Sequence, residues 1–248
     1  GTTGDPAVVI AVVDSGLDLD NPDFRNVWVN DGEVASNNVD DDGNGYVDDV
    51  NGYDFHNRRG DVSPDLGDGI DNDGNGEIDD SSSHGTIAAS LVAAAHDGAG
   101  IVGGAPGCTL MVVKVFGDDG GVRLSELAEA IQYATDNGAD VINLSLSTLF
   151  NSQALLDAVR YALAGKAIVV GAAGNGNSAV PQYPASYNLV ISVGGSGSGF
   201  SLNATSNLMD LGRIDGRWPG SQYGLGAVDV VAPAVVFAAS VATVGYAA

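Results

Sequence analysis

Residues 71–86 read DNDGNGEIDDSSSHGT: carboxylates at alternating positions lead within a few residues to one histidine, His84. The acidic part has an earlier copy, DDDGNGYVDD at 40–49 against DNDGNGEIDD at 71–80. Oxygen-bearing side chains at every second position can converge on one hard cation, and the glycine that follows permits the sharp turn this requires. In the first copy the expected shell is Asp40, Asp42, Asn44, the Tyr46 carbonyl and Asp48, with Gly45 at the turn and Val47 pointing away as the anchor. In the second it is Asp71, Asp73, Asn75, the Glu77 carbonyl and Asp79, with Gly76 and Ile78 in the structural roles. Ca2+ is the expected ion; the alternative is an acidic, glycine-rich turn that binds nothing. Asn51 and Ser82 stand where an EF-hand loop has its bidentate glutamate, so another residue must close each shell. Hard cations prefer oxygen, which separates His84 from the metal loop and makes Ser81–Ser83 the joint between two sites. A filled second loop would then fix the entry to the helix that carries His84.

The elements that must position such a site are six apolar runs, at 7–15, 110–117, 141–147, 167–175, 188–195 and 228–234. They are continuous rather than alternating and rich in Val and Ile, as strands buried on both faces of a parallel sheet are. Helical segments lie between them. One has Ser125 as its cap, buries Leu127, Ala130, Ile131 and Ala134, and has Gly138 past its end. A second opens at Ser152, turns Leu155, Leu156, Val159 and Leu163 inward, and stops at Gly165. A third begins near His84 and runs towards Gly98. The alternation implies an α/β fold: a doubly wound, mainly parallel sheet with helices on both faces, in a single domain over 1–248 with an acidic insertion at about 31–82. In such sheets the chemistry lies beyond the carboxyl ends of the strands. Asp14 ends the first run, Asn175 ends the fourth and His84 starts a helix, so three polar residues converge on one edge.

Composition narrows the partners. Nine basic residues against 32 acidic ones leave a formal net charge of -23, which disfavours nucleic acid and anionic membrane surfaces. Much of the acid lies between residues 40 and 80, where its ordered spacing suggests cation binding; the rest can solvate the surface, as in proteins from salty environments. No apolar run reaches the length of a membrane span, and GTTGDPAVV has neither the charged nor the apolar region of a signal peptide. Cys108 is the one cysteine and reads as a small buried residue, so no internal disulfide forms. His56, in the acidic insertion, reads as a surface residue, and His96 as structural near a helix end.

Taken together, VVIAVVDSGLD around Asp14, SHGTIAAS around His84, VINLSLS, VVGAAGN at Asn175, YPA at 183–185 and VDVVAPA resemble the subtilisin-like serine proteases (subtilases), in family order and over nearly the whole chain. The resemblance implies a secreted endopeptidase, stabilised by calcium, with its triad in the order Asp, His, Ser. It implies Asp14 as the orienting carboxylate, His84 as the general base and Asn175 as the side-chain donor of the oxyanion hole. It further implies that a polypeptide substrate lies extended between Gly120, Gly121 and Val122 on one side and Ser145, Leu146 and Ser147 on the other. Ser145–Ser147 and Ala172, Ala173 and Gly174 would wall the S1 pocket, and the Tyr183–Pro184 bond would be cis.

The sequence also departs from the family. Subtilases carry the nucleophile in G-T-S-x-A, and no Gly-Thr-Ser occurs here; the Gly-Thr pairs are Gly1–Thr2, followed by Thr3, and Gly85–Thr86, followed by Ile87. One expectation is that the serine helix belongs to a C-terminal segment or second chain missing from this sequence, so that these 248 residues alone are inactive. The other is a relative that has lost its nucleophile and holds peptides as a scaffold. Ile87 and Ser90 replace a His and a Gly of the family's histidine motif, Ser83 precedes His84 where Gly is usual, and Ser147 replaces a Gly at the S1 wall. The Gly- and Ser-rich stretch at 194–201 reads as a flexible loop.

Overall fold

All six apolar runs form strands in the computed structural model, which describes residues 3–64, 80–117, 120–197, 201–202, 209–210, 217–224, 227–234, 238–239 and 246–247. The strands are β1 (Val9–Asp14), β3 (Thr109–Lys114), β4 (Val141–Leu144), β5 (Ile168–Ala172), β6 (Val190–Ser196) and β9 (Val230–Pro233). A short seventh, β2 (Gly52–Asp54), comes from within the acidic insertion. Their order is β2-β3-β1-β4-β5-β6-β9, with every neighbouring pair parallel. Two antiparallel pairs stand apart: β7 (Ser201–Leu202) with β8 (Met209–Asp210), and β10 (Ala238–Ala239) with β11 (Tyr246–Ala247). The stretch read as a flexible loop is in part strand, because β6 extends through Gly194, Gly195 and Ser196 to pair with β9.

The pleat explains why the runs are continuous. Ala11, Val13, Met111 and Val113 point to one face, where Leu127, Ile131, Leu155 and Val159 cover them. Val12, Leu110 and Val112 point to the other and meet Ala88, Ala89 and Ala93. Both faces are therefore buried under helices, as a doubly wound parallel sheet demands. Among the described residues the helices are α1 (Asp80–Ala93), α2 (Leu124–Asp136) and α3 (Gln153–Ala164). The cap of α3 is as expected: Ser152 accepts from the Leu155 N–H, and Gly165 closes the other end. That of α2 is not. Arg123 is its N-cap without a side-chain bond, and Ser125 lies inside the first turn. Leu163, expected inward, is exposed; Ala158 and Ala162 complete the buried face instead. α1 begins at Asp80, so Ser81–Ser83 are helical rather than a joint, and it ends at Ala93, leaving His96 in the exposed segment beyond.

An ion pair lies at the carboxyl end of this sheet. Lys114 ends β3, in register with Asp14 on β1, and its side chain is 1% exposed. Its Nζ donates to Asp54 Oδ2 at 3.2 Å and to the Phe116 carbonyl at 2.9 Å. Asp54 is fully buried and also accepts from the His56 and Asn57 amides. Removing Lys114 leaves the buried Asp54 charge with only the longer contact to the half-exposed Arg59, at 3.5 Å. Lys114→Met is therefore expected to lower the unfolding free energy by about 3–5 kcal/mol, read from urea denaturation, with Asp54→Asn on top restoring part of the loss.

Candidate active site

β3, β1, β4 and β5 are consecutive in the sheet, and the segments that leave their carboxyl ends supply the expected site. Asp14 is the last residue of β1. Gly120–Val122 follow β3, Ser145–Ser147 follow β4, and Ala172–Asn175 end and follow β5. Ser145 is held by Asn143, whose Nδ2 donates to its hydroxyl at 3.0 Å. Thr148 and Tyr183 exchange backbone hydrogen bonds next to the 145–147 edge, and the Tyr183–Pro184 bond is cis, as the resemblance implied.

His84 reaches Asp14 from α1. Its Nδ1 lies 2.8 Å from Asp14 Oδ1, which also accepts the Ser15 N–H at 2.7 Å. An ionised carboxylate only accepts, so Nδ1 carries the proton and Nε2 is the basic nitrogen. The Asp14 side chain is 1% exposed and the His84 ring 49% exposed, so the pair joins a buried charge to a solvent-facing imidazole. Asp14 Oδ2 is buried with no hydrogen-bond partner among the described residues, which sharpens its attraction for a cation beside Oδ1.

The two residues after His84 explain how the helix docks. A Cβ on Gly85 would lie 2.3 Å from the Gly16 carbonyl oxygen, so only glycine lets α1 come this near the end of β1. The Gly85 N–H donates to Ser15 Oγ at 2.9 Å, and Thr86 Oγ1, fully buried, accepts the Asp18 N–H at 3.1 Å. The replacement Ser90 is also fully buried and donates to the Ile87 carbonyl at 2.7 Å. Ser15 and Thr86 went unassigned in the sequence; each is a buried hydroxyl inside an otherwise apolar or glycine-rich motif, and that was the signal.

The first acidic repeat folds into a tight loop, though not with the expected shell. Asp40 spends both oxygens on the loop's own Gly43, Asn44 and Gly45 amides. Asp48 turns away, accepting the Asn37 and Asn38 N–H groups at 3.0 Å each. In its place Glu33, Asp42 and Asp49 each bring an oxygen within 4.8 Å of one another. Asp49 is completely buried, held by Asn30 and Asn44 and by the Tyr133 hydroxyl at 2.7 Å. Burial, and then that bond to Asp49, push the Tyr133 phenol up, so it remains a donor. Val47, the expected anchor, is exposed. Tyr46 anchors the loop instead, its ring edge-on to Tyr53, Phe55 and Tyr133. Asp71, Asp73, Asn75, Glu77 and Asp79 lie outside the described residues.

A second acidic place was not foreseen. Asp23 is 5% exposed, and its Oδ2 has no hydrogen-bond partner among the described residues. Burial, and then the charge of Asp97, raise its pKa. Asp97 takes an ion pair from Arg25. A buried carboxylate oxygen without a hydrogen-bond donor, in the field of a second carboxylate, fits a hard cation better than it fits empty space. Cys108 is buried, as expected. Arg58 pairs with Glu129 at 2.7 Å and Arg59 with Asp54 at 3.5 Å. Among the described residues, no helix is long and apolar enough to cross a membrane.

Comparison with known proteins identifies the family. A family model described as the subtilase family matches residues 5–246. A thermophilic serine proteinase of Bacillus sp. (strain AK1) is 35% identical over 236 residues, which is 94% of this chain and 45% of that protein. The halolysin-like extracellular serine protease Nep of Natrialba magadii is 32% identical, over 84% of this chain and 33% of its own length. Thermitase of Thermoactinomyces vulgaris is 31% identical, over 86% and 64%. The chain thus spans about half the length of the curated relatives it matches. A cold-adapted subtilisin-like serine proteinase shares the fold, with a TM-score of 0.68 at 22% identity, over 100% of this chain and 70% of that one. With a parallel seven-stranded sheet, a carboxylate-held histidine at its edge and this match along its length, the chain belongs to the subtilase family.

Proposed function

We propose that these residues are the acid–base and oxyanion part of a secreted, calcium-stabilised serine endopeptidase. The observation that carries the reading is the 2.8 Å contact between Asp14 and His84 at the edge where Asn175 also emerges, two strands away. In this reading His84 Nε2 takes the proton of a serine hydroxyl as its oxygen attacks the scissile carbonyl. Asp14 holds the ring and stabilises the imidazolium that results. Asn175 donates to the carbonyl oxygen as it becomes an oxyanion. His84 then gives its proton to the leaving amine, and water hydrolyses the acyl-enzyme by the same relay. The substrate lies extended along Gly120–Val122 and Ser145–Ser147, with Ala172–Gly174 and Ser145–Ser147 beside the P1 side chain. No Gly-Thr-Ser occurs among the 248 residues, so the serine is assigned to a segment or second chain beyond them.

Calcium, when bound, supplies the positive charge that the acidic places lack. Glu33, Asp42 and Asp49 would hold one ion, and Asp23 with Asp97 another. Excess chelator is expected to lower the melting temperature by about 5–10 °C, as loss of a ligand at 100-fold over its Kd does for a domain of this size. Asp23→Asn should have opposite signs in the two conditions. It removes an unpaired buried charge and so raises the melting temperature in chelator, but removes a ligand and so lowers it in calcium. A melting temperature indifferent to chelator contradicts both sites.

The function itself is tested by cleavage of a denatured polypeptide such as casein by the native, full-length protein. Cleavage abolished by a serine-directed sulfonyl fluoride is expected. A folded protein that binds but never cleaves peptides would instead make the groove a scaffold.

A further inference from the structure

Asn175 stands in an exposed stretch outside any helix or strand, so something other than regular structure must aim its amide. That stretch is held by a distant segment, 217–223. Gln222 is only 1% exposed. Its Nε2 donates to the Val180 carbonyl at 2.8 Å, and its Oε1 accepts the Ser178 N–H at 2.9 Å. The Ser178 hydroxyl lies within hydrogen-bond distance of both amide atoms. The backbone N–H of Gln222 donates to the Gly174 carbonyl at 3.0 Å. Just past Asn175, the Asn177 N–H donates to the Gly220 carbonyl at 2.9 Å and the Tyr223 N–H to the Ser178 carbonyl at 3.0 Å. Arg217 donates to Asn177 Oδ1 at 3.0 Å and to the Ser221 carbonyl at 2.6 Å, and its guanidinium stacks over Tyr223, 4.8 Å from the ring centroid.

The packing is as close as the bonding. A Cβ on Gly174 would lie 3.1 Å from Gln222 Cγ, and one on Gly176 would lie 3.1 Å from Gln222 Oε1. The glutamine side chain thus lies against the backbone on both sides of Asn175. Its amide satisfies loop groups on the far side that would otherwise bond to water and drift.

We propose that Gln222, with Arg217 behind it, is the positioning residue for Asn175. The clamp fixes the peptide planes at 174 and 176–178 and so sets where the Asn175 amide points. The proposal rests on the oxyanion reading of Asn175 given above. A donor misplaced by about 1 Å loses much of its transition-state contribution while leaving ground-state binding intact.

The test is a double-mutant cycle in the full-length protein, using a fluorogenic peptide substrate. Gln222→Met keeps the volume and removes the hydrogen bonds. It should lower kcat on the order of 10- to 100-fold with KM within about twofold. On an Asn175→Ala background the same change should cost nothing further, because the donor it aims is already gone. Equal losses on both backgrounds, or an unchanged kcat in the folded single variant, overturn the proposal while leaving the peptidase reading intact. A wild-type protein without peptidase activity overturns both. Should Gln222→Met fail to fold, Ser178→Ala loosens the same clamp with the glutamine still in place and is read through the same cycle.

Discussion

Asp14→Asn should cost the full-length protein, on the proposed mechanism, on the order of 10⁴ in kcat while leaving KM and the fold in place. Asparagine has nearly the same shape, and its carbonyl can still accept the Ser15 N–H that now bonds Asp14 Oδ1. What disappears is the charge. In the proposed mechanism Asp14 fixes the Nδ1–H tautomer of His84 across 2.8 Å and stabilises the imidazolium during proton transfer. A neutral amide can donate to Nδ1 as readily as accept from it, so the tautomer with its proton on Nε2 becomes populated and cannot act as the base. The buried Oδ2 of Asp14 has no hydrogen-bond partner among the described residues, so removing the charge should not lower the melting temperature. Steady-state kinetics together with thermal unfolding check both halves. A loss of activity matched by a loss of fold would mean that Asp14 is structural. Added to His84→Ala, Asp14→Asn should have almost no further effect, since the two residues act as a unit.

Asn175→Ala should lower kcat by about 10²–10³ with little change in KM. The Asn175 side chain is solvent-facing, so truncating it leaves no cavity and no buried partner unpaired. In the oxyanion reading its contribution is confined to the oxygen that gains charge as the carbonyl becomes tetrahedral. A rise in KM with kcat unchanged would make Asn175 a substrate-binding residue instead. The effect should also be smaller than that of Asp14→Asn, because proton transfer through His84 still operates without the donor.

The sheet was legible because burial on both faces leaves a mark on the sequence. Val12 and Val13 point to opposite sides of β1, and both meet helices, so the run has no polar alternation. β2 left no such mark. Its three residues owe their burial to pairing with β3, which local sequence does not record. The start of α1 was hidden for a related reason. Asp80 and three serines resemble a linker, yet acidic and small polar residues suit a helix N-terminus, and docking on β1 through Gly85 and Thr86 does the rest.

The site divides in the same way. Asp14, His84 and Asn175 could be placed because strand ends are readable and the carboxyl edge of a parallel sheet gathers them. The proposed metal shell could not be finished from spacing alone. Asp48, at the expected position, has a positive φ of 56° and caps the turn at residues 37 and 38. Asp49, one residue on, is turned inward by Tyr133 from α2. Glu33 joins it from before the repeat, and the charge of Asp97 acts on Asp23 from a segment far away in sequence. Such convergence is tertiary, and only the fold reveals it.

The central claim is that the Asp14–His84 pair activates a serine. It is tested most directly by treating the native, full-length protein with a fluorophosphonate probe, which reacts only with an activated serine hydroxyl, and mapping the adduct by mass spectrometry. Labelling of a single serine, lost in His84→Ala and greatly slowed in Asp14→Asn, is the predicted result. A folded protein that takes up no label, or whose labelling is indifferent to His84, would contradict it.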